Sequence, residues 1–172
     1  MERGYVQVYT GNGKGKTTAC LGLTLRACGR GMRVYIGQFM KGQDYGELNS
    51  VRFLPDVTLE QYGDPGWVFQ GKQTDQQREQ AAAGFAKARA ALTSGHYDLV
   101  IVDELNMAVW FELLTVEQQL ELIDLKPEGT ELVMSGRNAH ERVIERADLV
   151  TEMREIKHYY TQKVPARVGI EM

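Results

Sequence analysis

Tyr9-Thr10-Gly11-Asn12-Gly13-Lys14-Gly15-Lys16-Thr17-Thr18 follows a short apolar stretch, and its reading decides the fold. Glycines at alternate positions let the backbone turn tightly with its N–H groups pointing inward. Gly-Lys-Thr-Thr then opens a helix whose N-terminal dipole adds positive potential at the same point. The result is an anion cradle with a lysine and a metal-binding hydroxyl built in: a P-loop for a nucleoside triphosphate. One detail departs from the usual G-x-x-x-x-G-K-[ST] spacing. Thr10 stands where a glycine is expected and Gly11 comes one place later, so the loop is expected to be one residue tighter.

Outward from the loop, strand and helix patterns alternate. A strand over 5–9 precedes it and a helix over 17–30 follows, ended by Gly29 and Gly31. Strands are expected over 34–39 and 57–62. A long alanine-rich helix over 74–93 has Thr74 and Gln77 as a capping box and Gly95 as its stop. Leu99-Val100-Ile101-Val102 is an unbroken apolar run, the mark of a strand buried on both faces. A helix over 115–125, a strand over 131–134, a helix over 139–147 and a strand over 149–152 complete the alternation. Strands separated by helices pair in parallel through right-handed crossovers. The pattern predicts a three-layer α/β domain, P-loop NTPase-like (RecA-like), with a mainly parallel central sheet. No linker interrupts it, so one domain over 1–172 is expected.

The 172 residues suffice for a sizeable core, and the net charge of −3 gives no electrostatic case for nucleic acid or a membrane surface. No window approaches the ~18 apolar residues of a membrane span, and Met1-Glu2-Arg3 opens no signal peptide. A soluble, cytoplasmic protein is expected. Cys20 and Cys28 read as small apolar residues on the first helix. His96, His140 and His158 are scattered, without metal-ligand spacing, and nothing suggests a protein nucleophile.

In parallel sheets ligands collect at the carboxyl ends of the strands. That rule gathers the P-loop, residues 38–42, Asp103-Glu104 and residues 135–138 into one site. Lys16 would reach phosphate oxygens and Thr17 would place its hydroxyl on Mg²⁺. Asp103 and Glu104, at the end of a Walker B-like strand, suit either metal binding or activation of an attacking water. Lys14 is either a second phosphate contact or a solvated loop lysine. Arg26, nine residues beyond Thr17, is either solvated or a phosphate contact. Trp67 and Phe69 sit in a glycine-rich stretch and are either core or the wall of a flat apolar ligand site.

These residues resemble the P-loop corrinoid adenosyltransferases, which transfer the 5′-deoxyadenosyl group of ATP to the cobalt of cob(I)alamin and its precursors. The resemblance runs nearly end to end: the Thr10–Thr18 loop, Leu25-Arg26-Ala27, Gln38-Phe39-Met40-Lys41-Gly42, Asp103-Glu104-Leu105, Ser135-Gly136-Arg137-Asn138, 147–153, Lys157-His158 and Gly169-Ile170-Glu171. The shortened loop is itself a family trait. The resemblance implies that ATP lies reversed in the cradle, with triphosphate as the leaving group. Gly11, Asn12, Gly13, Lys14, Gly15, Lys16, Thr17 and Thr18 would hold the triphosphate, with Arg26 on phosphate and Arg137 and Asn138 among the binding residues. Thr17 and Glu104, supported by Asp103, would hold Mg²⁺ or Mn²⁺. Lys16, Arg26 and Glu104 would carry the catalysis.

Co(I) is a strong nucleophile, so no protein base is needed. The resemblance assigns exclusion of cobalt's axial ligand to aromatics near Gly66, here Trp67 and Phe69, in the reverse of the usual Phe-then-Trp order. It also implies a homodimer and a reduced flavoprotein as electron donor. The tail over 159–165 diverges from the common form. Some relatives carry an N-terminal extension over the site; this sequence starts at the strand, which leaves closure unassigned. Two other readings, a P-loop ATPase or small-molecule kinase and a nucleotide-holding regulator, would give ADP and unchanged ATP in place of triphosphate.

Overall fold

The computed structural model describes residues 2–64, 66 and 68–172. In chain order the elements are β1 (Val6–Thr10), α1 (Lys16–Cys28), β2 (Val34–Phe39), α2 (Gly46–Ser50), β3 (Val57–Tyr62), α3 (Asp75–Thr93), β4 (Leu99–Asp103), α4 (Leu105–Trp110), α5 (Val116–Leu125), β5 (Glu131–Ser135), α6 (Glu141–Arg146) and β6 (Leu149–Glu152). Short 3₁₀ turns lie at Val51–Phe53 and Tyr159–Gln162. The expected capping box at α3 forms, and a second forms at α5: the hydroxyls of Thr74 and Thr115 accept from the backbone N–H of Gln77 and Gln118, whose side chains accept in return.

The strands make one six-stranded sheet in the order β3-β2-β4-β5-β1-β6. Every pairing is parallel, where the sequence predicted a mainly parallel sheet. β5 lies between the P-loop strand β1 and the acidic strand β4, the RecA-like arrangement. The run in β4 explains the layering. Val100 and Val102 pack with α3, α4, α5 and α6 on one face, while Leu99 and Ile101 pack with α1 on the other. All four are essentially inaccessible, each such side chain stabilising by about 1.5–3 kcal/mol. Cys20 belongs to the α1-side core, and burial pushes its thiol pKa up, as suits a small apolar residue.

The elements the pattern did not show are α2, α4 and the two 3₁₀ turns. Among the described residues no helix is long and apolar enough to cross a membrane.

Candidate active site

β1 ends at Thr10 and α1 begins at Lys16, leaving residues 11–15 as the loop. Gly11 (φ 92°) and Gly15 (φ 120°) adopt backbone angles that side chains oppose. A Cβ on Gly11 would sit 2.5 Å from the Met153 carbonyl oxygen, and one on Gly13 2.7 Å from the same atom. The Gly13 N–H donates to that carbonyl at 2.7 Å, and the Met153 N–H donates to Thr10 O at 2.8 Å, so the segment after β6 backs the loop. α1 starts without a side-chain cap and with no acidic residue in its first turn. Its leading N–H groups are left for an anion. The Lys16 ammonium lies inside the loop and donates to Gly11 O (2.7 Å) and Gly13 O (2.8 Å). Burial lowers its pKa below the usual lysine range.

Beside the loop stands a buried carboxylate, Asp103, fully inaccessible. It accepts from the hydroxyls of Ser135 (2.5 Å) and Thr17 (3.0 Å), from the Lys41 ammonium (3.0 Å), and from the Gln38 amide (3.4 Å). Sheet register sets these contacts: Gln38 pairs with Asp103 across β2 and β4, and Ser135 ends the neighbouring β5. Glu104 caps α4 in the left-handed region (φ 59°) and donates its N–H to Ser135 Oγ at 3.1 Å. Burial, and then the charge of Asp103, push the Glu104 carboxyl up.

Lys41 reaches this centre because Met40 turns the chain at φ 56° after β2. The loops after β2 and β3 then pack backbone to backbone, a Cβ on Gly42 falling 2.2 Å from Gly63 O. Burial alone would lower the Lys41 pKa; Asp103, and then Glu47, hold it raised.

A buried amide pair braces the loop after β5. Gln119 donates to Asn106 Oδ1 (2.7 Å), and Asn106 donates to Gly136 O (2.8 Å). Arg137 follows directly on that loop.

The P-loop and acidic centre open into a cleft of about 760 Å³, within the ~300–1,000 Å³ of small-molecule sites. Its lining combines Lys14, Lys16, Thr17, Glu104 and Arg137 with the apolar Leu21, Leu25, Val51 and Leu54. The last residues described, Gly169 to Met172, form a further wall. Lys14 is tied to that wall, donating to Glu171 Oε1 (2.7 Å) and to the Tyr159 hydroxyl (3.1 Å). Its two readings, solvated or phosphate-bound, are therefore joined by a third, a link to the terminal segment.

The cleft gathers Gly13, Lys14, Gly15, Lys16, Thr17, Thr18, Glu104 and Arg137 of the predicted residues, with Asp103 directly beneath. Gly11 and the exposed Asn12 lie at the start of the loop, and Asn138 (φ 54°) is exposed beside Arg137. For Arg26 the geometry favours the solvated of its two readings. It is exposed and outside the cleft lining, because nine helical residues turn it about half a revolution away from Thr17. Its charge is felt by Tyr9 instead. Phe69 is 62% exposed, which removes the core reading for it; Trp67 lies outside the described residues. The sequence reading missed Lys41 and Glu47 beside Asp103, and Tyr45 and the terminal segment in the cleft lining. For Lys41, the signal available was its place in the 38–42 segment at a strand's carboxyl end.

Among the described residues no three or more His, Cys, Asp and Glu side chains cluster as a metal site. The donors at hand are hard oxygens, a hydroxyl and two carboxylates. They fit Mg²⁺, which keeps waters and takes phosphate oxygens.

Comparison with known proteins agrees with this geometry. The profile of the family described as ATP:corrinoid adenosyltransferase BtuR/CobO/CobP matches residues 2–172. A corrinoid adenosyltransferase of Escherichia coli K12 is 33% identical over 171 residues, covering 99% of this chain and 86% of the relative. One from Pseudomonas aeruginosa is 36% identical over 173 residues, covering 99% and 84%. Among solved structures, the cytoplasmic domain of the Thermomonospora curvata type VII secretion ATPase EccC superposes with a TM-score of 0.53 at 16% identity. It covers 95% of this chain and 22% of that one, a likeness of fold alone.

Proposed function

Because this chain belongs to the ATP:corrinoid adenosyltransferase family, and is an ATP-dependent enzyme that adenosylates corrinoids, we propose that its P-loop binds the triphosphate of ATP as a leaving group. The observation that carries this is one cleft lined both by the phosphate cradle with Glu104 and Arg137 and by apolar side chains. ATP fits it with triphosphate at the loop and the 5′ carbon turned outward.

In the reaction the Co(I) electron pair of the corrinoid substrate attacks C5′. A Co–C bond forms, the C5′–O bond breaks, and its electrons leave with the triphosphate. The protein has two tasks: orientation of the attack, and stabilisation of the charge growing on the departing oxygen. Lys16 and the uncapped α1 N-terminus serve the second, and Arg137 adds a cation from the opposite loop. Arg26 would serve only by crossing from the far side of α1, so we assign the charge work to Lys16 and Arg137. Thr17, Asp103 and Glu104 would hold Mg²⁺ or Mn²⁺, which neutralises part of the triphosphate charge when bound. Ser135 and Gln38 fix Asp103 so that it presents oxygen atoms to Thr17. The family further implies a homodimer and a reduced flavoprotein that delivers the electron to Co(II).

Phe69 stands exposed on its loop, available to press on a flat apolar ligand. We assign it, with Trp67, to excluding the axial ligand of cobalt before reduction. Phe69→Ala is expected to slow reaction of Co(II) substrate plus a mild reductant about tenfold more than reaction of chemically prepared Co(I), a difference worth about 1.4 kcal/mol. Parallel rate assays check this, and equal losses would refute the role. The reaction itself is tested by mixing protein, ATP, Mg²⁺ and cob(I)alamin. A light-sensitive adenosylated corrinoid is expected, and its absence while ATP is consumed would contradict the proposal.

A further inference from the structure

Lys41 is a cation in a cage of oxygens. Its Nζ lies 3.0 Å from Asp103 Oδ2, 3.3 Å from Thr17 Oγ1 and 3.4 Å from Glu47 Oε1. Gln38 donates to Glu47 Oε1 at 3.0 Å and to Asp103 Oδ2 at 3.4 Å, holding two of those oxygens in place. The Lys41 side chain is only 13% exposed and also lies 5.1 Å from the Tyr45 ring centroid. This is not a solvated surface lysine. Two of its three oxygen partners are the hydroxyl and carboxylate that the proposed function gives to the divalent cation.

A divalent metal at Thr17 and Asp103 would sit about 2.0–2.1 Å from its oxygens, and an ammonium cannot share that space. The two like charges would also repel strongly in so enclosed a place. We propose that the Lys41 ammonium is a built-in stand-in for the metal: it neutralises Asp103 in the nucleotide-free protein and must leave the cage for a divalent cation to enter. The inference rests on the metal-site reading above. The protein alone is then a poor metal binder, because entry means displacing a fixed charge. The nucleotide changes the balance, since its triphosphate brings negative charge that accompanies the metal and offers the displaced ammonium a new partner. Metal therefore loads with the nucleotide rather than before it. Lys41 is on this account a positioning residue for Asp103, and Glu47 is its anchor.

Mn²⁺ titrations followed by electron paramagnetic resonance, without nucleotide, test this on wild type, Lys41→Met and Lys41→Gln. The glutamine variant keeps a hydrogen-bond donor for Asp103 while removing the charge, and thermal melts verify that the variants fold. Both variants are expected to bind Mn²⁺ about tenfold or more tightly than wild type. If they bind no better while all three proteins still bind Mn²⁺ with ATP, the stand-in role is overturned and the metal-site reading survives. If none binds Mn²⁺ even with ATP, the metal-site reading falls as well.

Discussion

Lys16→Ala is expected to lower the rate of adenosyl transfer at saturating cob(I)alamin by about 10²–10³-fold, the effect of removing one preorganised charge from a developing oxyanion. Lys16 is only 6% exposed, and its ammonium is held by Gly11 and Gly13 carbonyls inside the cradle. It is thus already in place when triphosphate arrives, with little reorganisation needed. Only the Gly11 and Gly13 carbonyls lose a donor, and a melting curve close to wild type is the expected control. Arginine should rescue poorly, since its planar fork does not match a point charge enclosed by a tight loop. Single-turnover rates on folded protein decide the matter. A variant within a few-fold of wild type would mean that the loop does not carry the leaving-group charge.

Asp103→Ala carries the second large effect, this time on stability. The carboxylate accepts from Ser135, Thr17, Lys41 and Gln38. Its removal leaves the Lys41 ammonium, mostly buried, with Glu47 at 3.4 Å as its nearest remaining carboxylate. Breaking a buried pair by deleting one partner costs about 3–5 kcal/mol. For a domain of this size each kcal/mol shifts Tm by about 2–4 °C, so a fall of roughly 10 °C is expected by calorimetry. Removing the second charge should undo part of the damage, because an apolar pair is often no worse than a buried ion pair. Asp103→Ala combined with Lys41→Met is therefore expected to melt above Asp103→Ala alone. Equal or lower melting of the double variant would show that Asp103 acts mainly through its neutral partners.

The layout of the sheet was legible because the apolar pattern of parallel strands is strong, yet three strands run one residue further than that pattern. The expected ends were Tyr9, Val102 and Met134; the strands end at Thr10, Asp103 and Ser135. In each case the added residue is polar, and Asp103 and Ser135 are themselves part of the site. Periodicity stops where the chemistry begins. α2 escaped because five residues opening on a glycine give no helical period, and with it went Glu47 and the cage around Lys41. The phosphate role of Arg26 rests on the family resemblance, while its place half a revolution round α1 from Thr17 leaves it exposed. Asn106 and Gln119 were invisible because a buried amide pair looks, in sequence, like ordinary polar residues on amphipathic helices. The Lys14–Glu171 pair joins the P-loop to the far end of the chain, a contact no local pattern can signal.

The most direct test of the central claim, that the loop holds the leaving triphosphate, is ³¹P NMR of the phosphate products formed with ATP, Mg²⁺ and cob(I)alamin. The account predicts inorganic triphosphate in equal amount to the adenosylated corrinoid. ADP and orthophosphate with the corrinoid unchanged would contradict it and leave an ordinary P-loop hydrolase.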